Sequence, residues 1–225
     1  MAKKEHKNHD DIIEFKLITL GDSGVGKTSI LKRYINQKFD QNMISTVGFG
    51  ISIKEITTKK GTKIKLKLID TAGQENLKAI SNSYLKNADC ALFVFSHDSK
   101  ESFNNITNWI YSLKESNNNI NQCTVFPAYL IGNKSDLESE INVDEIKEFT
   151  ENNKFYGYIS TSAKDNIGIN QVFEEIAEML IKVYGTKKQK QNIKLAAKNV
   201  KKKKKLFFVC YWFIINFLIL IVYYK

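Results

Sequence analysis

The 225-residue chain has few cysteines and no apolar segment at its N-terminus. Its three cysteines, Cys90, Cys123 and Cys210, form no CxxC pair and show no metal-ligand spacing. Residues 1–11 are polar, and Ala2 stands where N-myristoylation requires glycine. These absences argue against a disulfide-bonded secreted domain, a thiolate metal site and a secretory signal. They predict reduced cytosolic thiols and a short disordered N-terminus at residues 1–11.

Excess charge is also missing from most of the chain. There are 34 basic and 24 acidic residues, which gives a formal net charge of +10. Residues 186–205 contain ten lysines and no acid, and Lys225 adds one more lysine. Removing those eleven leaves 23 basic residues against all 24 acids, a net charge of −1. A nucleic-acid-binding domain carries its basic face on the folded globule, so this distribution argues against nucleic acid as a partner.

Residues 12–185 alternate between short apolar runs and helical patterns. The segment 63–69 places Ile64, Leu66 and Leu68 on one face and lysines on the other, which is typical of a half-exposed strand. It predicts a hairpin with 50–57. Strand and helix alternate, so we predict an α/β fold with a six-stranded, mostly parallel sheet flanked by helices. Strands are predicted at 15–20, 50–57, 63–69, 90–95, 125–131 and 155–161, and helices at 27–36 and along the stripes 103–113 and 172–184.

The segment 21–28, GDSGVGKT, follows the first predicted strand and opens the first helix. It fits the phosphate-loop pattern GxxxxGK[ST], in which glycines let backbone N–H groups point at a phosphate beside a helix N-terminus. Lys27 can supply a charge to the β- and γ-phosphates, and the Thr28 hydroxyl can bind Mg²⁺. The predicted phosphate-binding residues are Asp22, Ser23, Gly24, Val25, Gly26, Lys27, Thr28 and Ser29.

A second motif, DTAGQE, occupies residues 70–75 at the end of an alternating strand. A carboxylate in this place can approach the metal, so Asp70 is a predicted metal-site residue. The Gly73 N–H can bind the γ-phosphate, and Gln74 can orient the attacking water as the catalytic residue.

Two further motifs follow the last two predicted strands: NKSD at 133–136 and TSAK at 161–164. The Asp136 carboxylate can accept hydrogen bonds from guanine N1–H and the 2-amino group, a pair of donors that adenine lacks. A site built for such a pair rejects a base that leaves it unpaired, so Asp136 argues against an ATP-using enzyme. The predicted base-binding residues are Asn133, Lys134, Asp136, Ser162, Ala163 and Lys164.

Four motifs in this order resemble the Ras superfamily of small GTPases over residues 12–185. GDSGVGKTS, the STVG segment at 45–48 and SFNNITNW at 102–109 are similar to the Rab branch. The resemblance implies a P-loop NTPase G domain that binds GTP or GDP with Mg²⁺. By the same resemblance Phe39 packs against the guanine, Lys134 lies along its other face, and Thr46 binds both metal and γ-phosphate. The implied metal residues are therefore Thr28, Thr46 and Asp70.

The resemblance also implies a function and its partners. A Rab-like switch hydrolyses GTP slowly by itself and needs an exchange factor, an activating protein and effectors to regulate vesicle-mediated membrane traffic. No residue is identifiable as an arginine finger, so we expect slow intrinsic hydrolysis. The chain departs from the Rab pattern at Ile51, Ile69 and the pair Asn76-Leu77, where the family has aromatic or Arg-Phe residues. These positions face effectors in the family, so a weakly hydrolysing scaffold that recruits effectors stays an alternative.

The C-terminus carries a basic linker at 186–205 and an apolar run at 206–225. Residues 206–224 contain no charge, and as a helix they would span roughly 28 Å, close to the thickness of the hydrocarbon core. We predict a transmembrane helix that anchors the domain to the cytosolic face of an intracellular membrane. Three other interpretations are a core helix, a nuclear signal in the lysine run, and a misread gene end.

Overall fold

The computed structural model describes residues 12–41, 49–71, 87–116 and 126–185. The chain divides into two units, and residues 14–183 form the one that contains the candidate site. The other unit, residues 1–13 and 184–225, lies mostly outside the described residues. The predictions for Thr46, Gly73, Gln74, the N-terminus and the tail all fall outside the described residues.

The described residues contain one sheet of six strands in the order β2-β3-β1-β4-β5-β6. Strand β4 pairs in parallel with β1 and β5, β5 pairs in parallel with β6, and β2 and β3 form an antiparallel hairpin. The predicted mostly parallel α/β sheet is therefore confirmed. The strands are β1 Ile13–Leu20, β2 Phe49–Thr57, β3 Lys63–Thr71, β4 Cys90–Ser96, β5 Ala128–Asn133 and β6 Gly157–Ser160.

The sequence pattern of each strand matches its place in the sheet. In β3, Ile64, Leu66 and Leu68 are each at most 1 % exposed, whereas the lysines between them reach the surface. Every residue of β4 is buried, as a central strand covered on both faces requires. Strand β5 begins one residue after Pro127, later than predicted, because proline has no N–H to donate to a neighbouring strand.

Five helices are described: α1 Lys27–Asn36, α2 Lys100–Asn104, α3 Ile106–Ser116, α4 Val143–Asn152 and α5 at 169–185. The stripe at 103–113 was predicted as one helix, but the structure divides it at Asn105. The Asn105 side chain donates a hydrogen bond to Asp22 instead of facing solvent, so this turn is shaped by a contact outside the helix.

Helix α4 has no counterpart among the sequence predictions. Its core-facing side is narrow: Ile146 is its only fully buried residue, and Phe149, three residues later, packs partly buried against the core. Its N-terminus is nevertheless encoded: the Asn142 side chain accepts a hydrogen bond from the Asp144 N–H, and Glu145 follows three residues after the cap.

None of the helices within the described residues is long and apolar enough to cross a membrane. Residues 206–225, for which a transmembrane helix was predicted, lie outside that search.

Candidate nucleotide-binding site

A cavity of about 400 Å³ opens at the carboxyl ends of β1, β5 and β6, where α1 begins. Ligands of open α/β sheets bind at this edge, because the loops that follow parallel strands converge there. Twelve of the predicted residues line this cavity, from the segments 22–29, 133–136 and 162–164 together with Phe39. They are Ser23, Gly24, Gly26, Lys27, Thr28, Ser29, Phe39, Asn133, Lys134, Asp136, Ala163 and Lys164.

The loop before α1 ends at a glycine that sets the start of the helix. Helix α1 starts after Gly26, which has a φ of 95° and provides no side-chain cap. A Cβ at Gly26 would lie 2.2 Å from Asn133 Nδ2, so glycine is required both by the left-handed backbone and by the close approach of β5. The first N–H groups of α1 can therefore bind a phosphate at the cavity wall.

Lys27 places a cation against this loop. Its side chain is buried, and Nζ donates hydrogen bonds to the carbonyl oxygens of Gly21 at 2.7 Å and Asp22 at 2.6 Å. Burial lowers the pKa of the Lys27 amine to about 8, although Asp70 and Asp22 favour its charged form. A phosphate beside this amine would offset the cost of burial, because an opposite charge stabilises the protonated state.

The side chain of Asp22 turns away from the cavity toward α3. One carboxylate oxygen accepts a hydrogen bond from Asn105 Nδ2 at 2.8 Å, and the other accepts one from Trp109 Nε1 at 2.7 Å. Trp109 is only 2 % exposed. Asp22 therefore braces the phosphate loop against α3 with its side chain, and only its backbone is placed to act on a ligand.

Asp70 supplies the feature that best fits a metal ion. Its Oδ1 atom is buried and has no hydrogen-bond partner among the described residues. Burial raises the pKa of this carboxyl group, while a hydrogen bond with Thr28 and the charges of Lys27 and Lys32 oppose that rise. A divalent cation would compensate the buried oxygen, and hydroxyl and carboxylate oxygens are the ligands that Mg²⁺ prefers. Thr28 and Asp70 therefore fit the expected Mg²⁺.

Asn133 connects the phosphate side of the cavity to the base side. It is 2 % exposed, and its Nδ2 donates to the Val25 carbonyl at 2.8 Å. Its Oδ1 accepts hydrogen bonds from Thr161 Oγ1 at 3.2 Å and from the Ala163 N–H at 3.3 Å. Asn133 therefore joins three loops that border the cavity.

Asp136 is the carboxylate best placed to read a base. Its Oδ1 accepts a hydrogen bond from Ser162 Oγ at 2.6 Å, and its Oδ2 lies 3.5 Å from Lys164 Nζ. The bond from Ser162 and the charge of Lys164 hold the pKa of Asp136 below its usual value, against the opposing effect of burial. The group is thus an ionised acceptor, and each oxygen keeps a lone pair for a further donor.

Arg33, near the end of α1, holds the segment after β6 that lines the cavity. Its Nε donates to the Ala163 carbonyl and its Nη2 to the Lys164 carbonyl, both at 2.7 Å. Its guanidinium carbon also lies 5.7 Å from the centroid of the Phe39 ring. Arg33 therefore holds the segment after β6 and also contacts Phe39, the residue predicted to pack against guanine.

Lys134 adopts a left-handed backbone with a φ of 60°, and its amine pairs with Asp98 at 3.4 Å. The pair is about one-third exposed and positions the lysine along the cavity at small energetic cost.

Among the predicted residues, Asp22, Val25, Ser162 and Asp70 stand behind the cavity lining rather than in it, where they hold lining residues in place. Sequence reasoning missed four residues that line the cavity, Asp40, Gln41, Thr71 and Leu137, and two that support it, Arg33 and Trp109. A helix-period pattern gives no signal for such supports, because Arg33 reaches a partner 130 residues away.

Comparison with known proteins places this geometry in context. A model of the Ras family matches residues 16–182. The chain is 34 % identical to the Ras-related protein Rab-9A of Rattus norvegicus over 172 residues, which cover 74 % of this chain and 83 % of that protein. It is 35 % identical to Rab-9B of Homo sapiens over 173 residues, with 75 % and 83 % covered. Rab-13 of Bos taurus is 33 % identical over 189 residues, with 83 % and 90 % covered.

Proposed function

The chain belongs to the Ras family of small GTPases, in its Rab branch, and on that premise we propose that it is a slowly hydrolysing guanine-nucleotide switch for vesicle-mediated membrane traffic. The observation that carries the proposal is that Lys27, which opens α1, and Asp136, which follows β5, line one cavity. A buried cation beside open backbone N–H groups suits phosphates. An ionised carboxylate held by Ser162 suits the paired donors of guanine.

Binding divides between the two walls. Gly26, Lys27 and the first turn of α1 hold the β-phosphate, while Asp136 and the segment 162–164 face the base. Phe39, steadied by Arg33, covers one side of the guanine ring. Thr28 and Asp70 would hold Mg²⁺ together with Thr46, and the ion would neutralise charge on the phosphate oxygens.

Hydrolysis in this class depends on positioning and electrostatics rather than on covalent chemistry. Gln74 is the residue we assign to orient the attacking water, and Gly73 and Thr46 are the contacts to the γ-phosphate. Release of these contacts after hydrolysis would relax the segments that carry Thr46 and Gly73, which gives effectors two states to distinguish. No arginine finger is assigned in addition to Lys27, so an activating protein would supply one.

Single-turnover GTP hydrolysis by the wild type and by Gln74→Leu tests this reading. We expect slow wild-type turnover, accelerated about 10³- to 10⁵-fold by an activating protein in cell extract, and little activity in the variant. Equal and fast rates would remove Gln74 from the mechanism. Tight GTP binding without acceleration by any extract would instead favour the weakly hydrolysing scaffold.

We also propose that residues 206–225 anchor the switch to the cytosolic face of an intracellular membrane. The support is the pattern of the sequence: an uncharged apolar run flanked by the lysines of 201–205. Alkaline carbonate extraction of cells expressing the full chain, or a chain ending at Lys205, tests this. Only the full chain should resist extraction. A full chain that washes off the membrane contradicts a spanning anchor.

A further inference from the structure

A buried histidine lies directly behind the base-reading loop. His97 follows β4 and is 8 % exposed. Its backbone N–H donates to the Asn133 carbonyl at 2.9 Å, and its own carbonyl accepts from the Glu140 N–H at 2.9 Å. His97 therefore anchors both ends of the segment that carries Lys134 and Asp136.

The imidazole ring joins two further segments by hydrogen bonds. Nδ1 lies 3.1 Å from Ser139 Oγ, while Nε2 lies 3.1 Å from Ser160 Oγ and 3.0 Å from the Tyr158 hydroxyl. Ser160 directly precedes the segment 161–164 that closes over the base. The ring thus connects the loop after β5 to the loop after β6 at a single point.

The surrounding bonds select one form of the ring. Ser139 Oγ donates its hydrogen to the Ile141 carbonyl at 3.0 Å, so it accepts from Nδ1–H. Nε2 is then the acceptor, and the hydroxyl groups of Tyr158 and Ser160 share its one lone pair. This arrangement satisfies a neutral imidazole, whereas a proton on Nε2 would displace the hydroxyl hydrogens that point at it.

The backbone is adapted to the ring. A Cβ at Gly132 would lie 2.7 Å from His97 Nε2 and 2.8 Å from the Tyr158 hydroxyl. The residue immediately before Asn133 therefore has to be small for the ring to sit there. Phe95 packs against the ring with its centroid 5.5 Å away, which leaves little room for a shifted imidazole.

We propose that His97 is a positioning residue for guanine-nucleotide retention, and that its protonation loosens the two base-holding loops and speeds nucleotide release. This inference rests on the proposed guanine-nucleotide switch. The titratable and charged groups around the ring are Asp98 beside it, Tyr158 from β6, Lys134 through its pair with Asp98, and Glu140 through its backbone.

Linkage fixes the direction of the effect. Burial lowers the pKa of His97 below its ordinary value of 6.5, with Asp98 opposing. Loops that open during release expose the ring and return it toward that value, so the open form takes up a proton more readily. Release should be slow and independent of pH above about 6.5, and should accelerate as the pH falls below it.

The test measures dissociation of fluorescent GDP from the full chain between pH 5.5 and 7.5. We expect the wild-type rate to rise roughly three- to tenfold across this range. His97→Gln keeps a polar amide that cannot titrate, and it should lose this rise. The chain has only two other histidines, His6 and His9, so a variant with both changed to Gln is a matched control that should keep it.

Tyr158→Phe provides an independent variant. It removes a donor to neutral Nε2, so the midpoint of the pH profile should move to higher pH. The NMR titration of the His97 ring proton should show the same displacement, and circular dichroism at each pH separates loosening from unfolding.

GDP that binds tightly but leaves at a pH-independent rate, or a rise that persists in His97→Gln, overturns the role of His97 alone. Failure to bind GDP at pH 7.5 contradicts the proposed function itself.

Discussion

The two ends of the cavity differ in how their polar groups are satisfied. At the base end, Asp136 is held by Ser162 and Lys164, and Asn133 uses both atoms of its amide on protein partners. At the phosphate end, the amine of Lys27 is buried with a pKa lowered to about 8, and Asp70 Oδ1 has no partner among the described residues.

One end of the cavity is therefore suited to recognise the base, and the other end holds buried charges. The base end is assembled by contacts within the protein, which hold Asp136 as an acceptor. The phosphate end holds buried charges whose desolvation protein groups compensate only in part, so a phosphate and a metal ion should stabilise it. Base choice and binding strength therefore have different origins.

The largest effect is expected at the base end, from Asp136→Asn. The amide replaces one acceptor with a donor that opposes the donors of guanine, so affinity for GDP should fall by about 10²- to 10⁴-fold. Equilibrium titration with fluorescent GDP measures the loss. Asp144→Asn, an exposed carboxylate on α4, is the control and should bind as the wild type does. Equal affinities for the two variants would remove Asp136 from base recognition.

At the phosphate end, Lys27→Met should weaken nucleotide binding without weakening the fold. Losing the charged hydrogen bond to phosphate should weaken GDP by about 10- to 100-fold. The nucleotide-free protein should unfold at the same denaturant concentration or a higher one, because a buried cation has been removed. Lys114→Met, on the exposed side of α3, should change neither quantity. A variant that binds normally but unfolds more easily would mean that Lys27 serves the fold instead of the ligand.

Substitutions of Arg33 test whether its hydrogen bonds hold the base end of the cavity in place. Arg33→Met removes the two 2.7 Å bonds to the carbonyls of Ala163 and Lys164, so GDP should dissociate about tenfold faster. Arg33→Lys should recover only part of the loss, because one amine cannot donate in two fixed directions. Stopped-flow exchange measures both rates, and unchanged dissociation in Arg33→Met would show that the loop holds its position unaided.

The smallest effect is expected from Trp109→Phe. The change removes the indole bond to Asp22, while Asn105 keeps its own bond to the same carboxylate. We expect GDP affinity to fall about threefold and the free energy of unfolding to fall by about 1.5–3 kcal/mol. Calorimetric titration and urea unfolding measure the two quantities. If the free energy of GDP binding fell by more than the free energy of unfolding, the bond between Trp109 and Asp22 would have a direct role in binding.

The sequence located the elements that bind, because each motif follows a strand whose apolar pattern is clear. Lys27 and Asp136 could be assigned from residue type and order alone, and both line the cavity. Local patterns also placed the hairpin, since the lysines of β3 alternate with buried residues.

The supports of the site could not be assigned in the same way. His97 and Arg33 act on loops distant in sequence, and nothing near them in the chain encodes those partners. The break between α2 and α3 depends on Asn105 meeting Asp22, a contact made only in the folded protein. Helix α4 escaped prediction because its apolar stripe is short, with Ile146 and Phe149 as its two residues in contact with the core.

The most direct test of the central claim is competition of GDP, GTP and ATP for the purified full chain with Mg²⁺. A cavity with a fixed acceptor for guanine predicts that GDP and GTP bind at least about 10³-fold more tightly than ATP. Comparable affinity for ATP would contradict the assignment of Asp136 and, with it, the reading of this protein as a guanine-nucleotide switch.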